Sequence, residues 1–176
     1  MLDLPATPRA ALHEAVIPGL SLLPARLDSI AARLMILVIF MQESNLAVRA
    51  QVLNGGGKGP ARGLAQFERA GGVAGIHRHP ATSELLRQVC VARKVPFHPS
   101  AIWKALEVDD LLATACARLL LLSDPAPLPT IGDLDAAFAY YLRTWRPGAA
   151  TTPAGRAKCL ARWRKHYPRA LEAVRA

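Results

Sequence analysis

The sequence predicts an all-α fold in a single domain, on three observations. Ala, Leu and Arg dominate the 176 residues while β-branched and aromatic residues are sparse, a balance that favours helix over strand. Pro and Gly cut the chain into pieces, and most pieces open with a residue able to cap a helix. No apolar–polar alternation of strand length appears; a two-stranded ribbon near the Gly-rich stretch stays open, without a pattern to support it. With 52% hydrophobic residues, a chain of this length can bury a substantial core.

The elements follow in order. Thr7 to Val16 reads as a short helix ended by Pro18 and Gly19, part of an N-terminal helical extension over residues 1–23. From Pro24 to about Glu43 a longer helix is predicted, with Asp28 and Ser29 as candidate caps. Its segment Leu34–Met41, LMILVIFM, is apolar all round and belongs in the core. The stretch NGGGKGPARG, residues 54–63, reads as a loop. Thr82 or Ser83, Ser100, Asp109 and Asp133 each precede a helical segment. Thr152 followed by Pro153 is a cap with proline at the first helical position, and Pro168 is expected to open a last short helix. The core of the domain is expected over residues 24–167.

The formal charge of +9 suits a polyanionic partner: nucleic acid, an acidic membrane or an anionic cell wall. The basic residues Arg156, Lys158, Arg162, Arg164, Lys165 and Arg169 gather in the C-terminal segment, where a solvated face is the simpler reading. The three cysteines, Cys90, Cys116 and Cys159, are scattered, which argues for buried thiols and against a disulfide framework or zinc site. His77 and His79 lack further ligands at metal spacing and read as a surface turn. A phosphate loop is excluded: Val52 stands where G-x-x-x-x-G-K-[ST] needs glycine, and Gly59 where it needs Ser or Thr. Lys58 and Arg62 are instead expected at a cleft edge, able to meet carboxylates. The N-terminus has no apolar signal-peptide segment, and no apolar run approaches the roughly 20 residues a membrane span needs. Synthesis in the cytoplasm is therefore expected.

Glu43 draws the chemical interest. It follows the apolar helix segment directly, where desolvation and the negative end of the helix dipole both favour a protonated carboxyl. A carboxyl held protonated near neutral pH is a general acid.

Downstream, Gly63-Leu64-Ala65-Gln66-Phe67 follows the glycine-rich stretch, and Ala139-Tyr140-Tyr141 sits on a later helix. Glu43-Ser44, then this G-L-x-Q-F segment, then A-Y-x resembles the soluble lytic transglycosylase and goose-type lysozyme superfamily, in a version like those of bacteriophage. The resemblance covers about residues 28–167. The family usually has Met where Ala65 stands and Asn where Tyr141 stands.

The resemblance implies a lysozyme-like helical domain with a substrate cleft, acting on peptidoglycan glycan strands. Glu43 would protonate the oxygen between N-acetylmuramic acid and N-acetylglucosamine. It would then deprotonate the muramoyl C6 hydroxyl, whose attack on C1 leaves a 1,6-anhydro sugar. Ser44, Gln66 and Tyr140 would bind substrate or orient Glu43, with Tyr141 also at the substrate site. No cofactor, metal or nucleic acid is implied, and a monomer is expected. The enzyme would reach the periplasmic wall after release through a membrane lesion or as part of a virion.

Glu68, two residues past Gln66, is the candidate second carboxylate. If it positions a water, the reaction becomes hydrolysis, as in a muramidase, and the product a reducing sugar. Outside this class stand a basic nucleic-acid-binding helical protein and a virion structural part without activity.

Overall fold

The computed structural model describes residues 1–53 and 55–176; Asn54, the first residue of the Gly-rich stretch, lies outside them. The chain is mostly helical, with one small three-stranded sheet that the sequence pattern did not predict.

The N-terminal helix outlasts its expected end. Thr7 Oγ1 accepts from the Ala10 amide at 3.1 Å and starts α1 (Pro8–Ala11). A wide turn over Leu12–Val16 then joins α1 to α2 (Ile17–Leu20) without a break. Pro18 is tolerated because it sits in the first turn of α2, where a missing N–H costs little. Gly19 is a contact point and not a breaker. A Cβ there would lie 2.4 Å from Thr114 Cβ, so only glycine lets α2 approach α7 (Asp110–Leu122) this closely.

The core helix α3 (Ile30–Ser44) starts later than expected. Ser29 caps it, its Oγ accepting from Ala32 N at 3.1 Å, while residues 25–27 form a separate 3-10 turn. Asp28 pairs with Arg33 at 2.7 Å instead of capping. All residues from Leu34 to Ser44 except Glu43 are buried. Burying one such aliphatic side chain contributes about 1.5–3 kcal/mol, which is why this helix anchors the fold. Asn45 closes α3 in the left-handed conformation at φ 53°, donating its amide to Met41 O at 3.1 Å.

Beyond α3 runs an antiparallel sheet, β1 (Ala50–Val52), β2 (Lys58–Arg62) and β3 (Phe67–Glu68), in that order. Ala50 faces Arg62 and Val52 faces Lys58 with a register shift between, while Arg62 faces Phe67. The expected loop over residues 54–63 is thus corrected: its second half is the central strand. Gly59 and Pro60 have low strand propensity and hid it. Pro60 is accommodated where the β1–β2 register shifts, since a bulge needs no donor there.

The remaining helices are α4 (Ala74–Arg78), α5 (Ser83–Ala92), α6 (Pro99–Ala105), α7, α8 (Leu134–Trp145) and α9 (Pro153–Arg175). Asp109, Asp133 and Thr152 cap α7, α8 and α9 as the sequence predicts, and α5 begins at Ser83. Pro99 is the first residue of α6, so Ser100 lies inside the helix and His98 caps it. Helix α9 does not stop before Pro168 but runs through it. The Arg164 carbonyl, four residues back, loses its donor, but both residues are exposed, so the carbonyl is not left in an apolar interior. Buried Trp163, Tyr167 and Ala170 hold the helix down on either side of the proline.

A buried ion pair ties the ends of this architecture together. Arg49 grips the Asp110 carboxylate with two bonds of 2.7 Å, and Asp110 also accepts the Leu2 amide at 2.9 Å. Asp110 sits in the first turn of α7, where the helix dipole favours its charge.

Candidate functional site

Glu43 lies in the last turn of α3, between two residues that face inward. Gln42 is buried and donates from Nε2 to Cys159 O on α9 at 3.3 Å. Ser44 is buried too, its hydroxyl donating to Phe40 O at 2.8 Å and accepting from Leu46 N at 3.3 Å. Those bonds hold Ser44 within its own helix terminus, beside Glu43, where it shapes the α3 end.

Tyr141 on α8 donates its hydroxyl to Glu43 Oε1 at 2.5 Å. The resemblance implies that the neighbouring Tyr140 binds substrate or orients Glu43. Tyr140 instead donates to Leu121 O at 2.8 Å, with Ala126 O a second acceptor at 3.2 Å, and serves the α7–α8 packing. Adjacent residues on a helix point about 100° apart, so one tyrosine faces Glu43 and the other cannot. The Tyr141 ring is held by stacking on Trp163 of α9, with centroids 4.9 Å apart. Phe138, one turn earlier, packs on the same indole at 5.7 Å. The donor is therefore preorganised by an aromatic stack, not by exposed contacts.

Burial pushes the Glu43 carboxyl up from 4.5 to about 7. The Tyr141 hydrogen bond and the positive charge of Arg162 act in the opposite direction without cancelling it. Burial, and next the Glu43 charge, push the Tyr141 phenol far upward, so it remains a proton donor across the whole working range. Arg162 went unrecognised in the sequence as a site residue. It lies far from Glu43 along the chain, on a helix crowded with cations, and no local signal separates it from its neighbours. Its guanidinium donates to Gln42 O, which holds it beside the α3 terminus.

Glu43 opens into a cleft of about 1080 Å³, whose walls include Gln66, Phe67, Glu68, Trp145 and Arg146. Gln66 adopts φ 49° and turns its Nε2 back onto Gly63 O at 2.8 Å, leaving its side-chain oxygen without a protein donor among the described residues. A left-handed non-glycine residue costs of order 1 kcal/mol and tends to cluster at functional sites. Trp145 donates from Nε1 to Ala65 O at 3.0 Å and packs on Phe67 at 5.6 Å, which turns the indole into a cleft wall. Glu68 is exposed, lines the same cleft and forms no ion pair among the described residues.

The structure therefore brings Glu43, Tyr141, Gln66, Glu68 and Trp145 to one region and leaves Ser44 and Tyr140 behind it. Lys58 and Arg62, expected to be free for carboxylates, both pair with Glu107. His77 stacks on Phe97 at 4.2 Å, while His79 reaches the cleft. Among the described residues, no three His, Cys, Asp or Glu side chains gather as a metal site, and no helix is long and apolar enough to cross a membrane. All three cysteines are buried free thiols. The exposed cations of α9, Arg156, Lys158, Arg164, Lys165 and Arg169, form no ion pairs among the described residues.

The arrangement can hold a proton at Glu43 near neutral pH and release it to a ligand in the cleft, with Tyr141 fixing the carboxyl from behind. Comparison with known family patterns, curated proteins and solved structures gives no match for this chain.

Proposed function

We propose that the chain is a peptidoglycan lytic transglycosylase with a lysozyme-like cleft, cleaving the β-1,4 bond between N-acetylmuramic acid and N-acetylglucosamine. The observation that carries this reading is Glu43: a carboxyl with a pKa near 7, hydrogen-bonded by a neutral phenol, at the wall of an open cleft. The ordered Glu-Ser, G-L-x-Q-F and A-Y-x segments supply the substrate class.

The chemistry needs one residue in two protonation states. Protonated Glu43 gives its proton to the glycosidic oxygen as the C1–O bond breaks. The resulting carboxylate then takes the proton of the muramoyl C6 hydroxyl while that oxygen bonds to C1. The products are a 1,6-anhydromuramoyl end and a free sugar hydroxyl, and Glu43 is protonated again. A pKa matched to the working pH serves both steps. The neutral Tyr141 donor orients the carboxyl without pairing it with a full charge.

Hydrolysis is the second reading, favoured by one observation: exposed Glu68 shares the cleft and is free to hold a water. Purified sacculi digested with the protein and analysed by mass spectrometry separate the two. Anhydro ends support the first reading and reducing ends the second. Release of no fragments, or undiminished release by Glu43→Gln, overturns both. A place in a phage lysis programme or virion belongs to the same proposal, and detection of the chain in purified particles tests it.

A further inference from the structure

A second groove lies across β3 from the cleft. Its volume is about 490 Å³, and its floor is Trp103 of α6, a residue the sequence did not single out. The indole is fixed from two directions. Its Nε1 donates to Pro60 O on β2 at 2.8 Å. The Arg62 guanidinium lies over the ring, 4.5 Å from its centroid, and is itself held by Glu107 at 2.9 Å. Arg62 does not line the groove, so the groove meets the part of the ring that Arg62 leaves uncovered.

The rim of the groove carries both kinds of hydrogen-bonding group. Lys104 is exposed and forms no ion pair among the described residues, and Arg69 donates to Ser100 Oγ at 3.3 Å. Glu68 adds an acceptor to the same lining. A rigid aromatic surface with mixed donors and acceptors around it suits a pyranose ring, which presents C–H groups on its faces and hydroxyls at its edge. A run of phosphates would meet Glu68 on the same rim and only two cations. Glu68 and Ala70 line the cleft and the groove alike, so the two are continuous over β3.

We propose that the Trp103 groove is a remote sugar subsite, which holds a glycan strand that extends from the Glu43 cleft over β3. This rests on the reading of the cleft as a glycan site. Glu68 then serves as the ridge the strand crosses, in hydrogen-bonding contact with sugar on either side.

The three tryptophans make the test direct, because one lies in the groove, one in the cleft and one in the core. The full chain carrying Glu43→Gln, labelled with 15N, is titrated with the N-acetylglucosamine dimer and hexamer while the indole N–H signals are followed. The hexamer is expected to move Trp145 and Trp103 together, and Trp103→Ala is expected to weaken hexamer binding by about tenfold while leaving the dimer unaffected. Trp103→Ala also removes the bond to Pro60, so the titration of the chain with Trp103 intact stands independently of that variant's folding. A hexamer that moves Trp145 but not Trp103 overturns the subsite and spares the cleft reading. No movement of either indole overturns both. A Trp103 shift caused by an oligodeoxythymidylate and not by the hexamer assigns the groove to nucleic acid and overturns the proposal.

Discussion

The Tyr141 hydroxyl donates to Glu43 Oε1 at 2.5 Å, joining two side chains that stand 98 positions apart in the chain. Burial pushes the pKa of this carboxyl up to about 7, and the bond pulls against that rise. It gives the acid a fixed direction and offsets part of the weakening that burial imposes.

Tyr141→Phe removes only the hydroxyl and keeps the stack on Trp163. With the hydrogen bond gone, the Glu43 pKa rises further, and the alkaline limb of the kcat/KM profile moves to higher pH. The carboxyl also loses its fixed rotamer, so kcat falls by about tenfold or more, the scale of one hydrogen bond to a charged group. Tyr140→Phe is the control. It lowers Tm through lost bonds to Leu121 and Ala126, and leaves the pH profile in place. A shifted profile for Tyr140→Phe and an unmoved one for Tyr141→Phe would reverse the assignment.

Glu43 is also expected to make the fold weaker as pH rises. Its folded pKa, about 7, stands above the ordinary 4.5, so the folded state holds a proton that the unfolded chain has already released. Below the unfolded pKa both states are protonated and the group contributes no difference. Between the two values the penalty grows with pH, and above the folded pKa it is complete, at about 3 kcal/mol. Glu43→Gln carries no such penalty. Its Tm is expected to exceed the parent's at pH 8, with a gap that closes as pH falls toward 4.5. Thermal melts across this range check it, and a gap constant with pH would place the carboxyl in solvent.

How much of this was legible in the sequence depends on the range of the interaction. Caps at Ser29, Asp109, Asp133 and Thr152 are local, and the residues that make them announce them. The apolar run Leu34–Met41 marks a buried helix, and the step from Met41 to Glu43 marks its polar end. The rotation of α8 was not legible, because Tyr140 and Tyr141 are equivalent until α9 supplies Trp163 for one of them to stack on. Pro18 and Pro168 misled for a related reason. Their backbone cost is local: it is small at Pro18, in the first turn of α2, and at Pro168 buried side chains on the same helix outweigh it. Strand β2 was hidden because glycine and proline carry no strand signal, and only pairing on both sides makes the segment extended.

The Arg49–Asp110 pair offers a test of what holds the cleft in register. Asp110 lies in the core at the start of α7, and its carboxylate receives Arg49 and the Leu2 amide. Arg49 stands one residue before β1, and its carbonyl accepts the Gly63 amide at 2.7 Å, next to the segment that carries Gln66. Asp110→Asn keeps the shape but leaves the guanidinium buried without its counter-charge, a loss of about 3–5 kcal/mol for a pair of this kind. Denaturant unfolding is expected to report that loss. Arg49→Met alone leaves the carboxylate uncompensated and costs a similar amount. The double variant Arg49→Met with Asp110→Leu buries no charge, so it should recover much of the stability. It does not restore the bonds that fix β1 against α7, however, so the proposed wall-degrading activity is expected to stay low while stability returns. Activity that recovers in step with stability would mean that the pair holds the fold together but does not align Gln66 with Glu43.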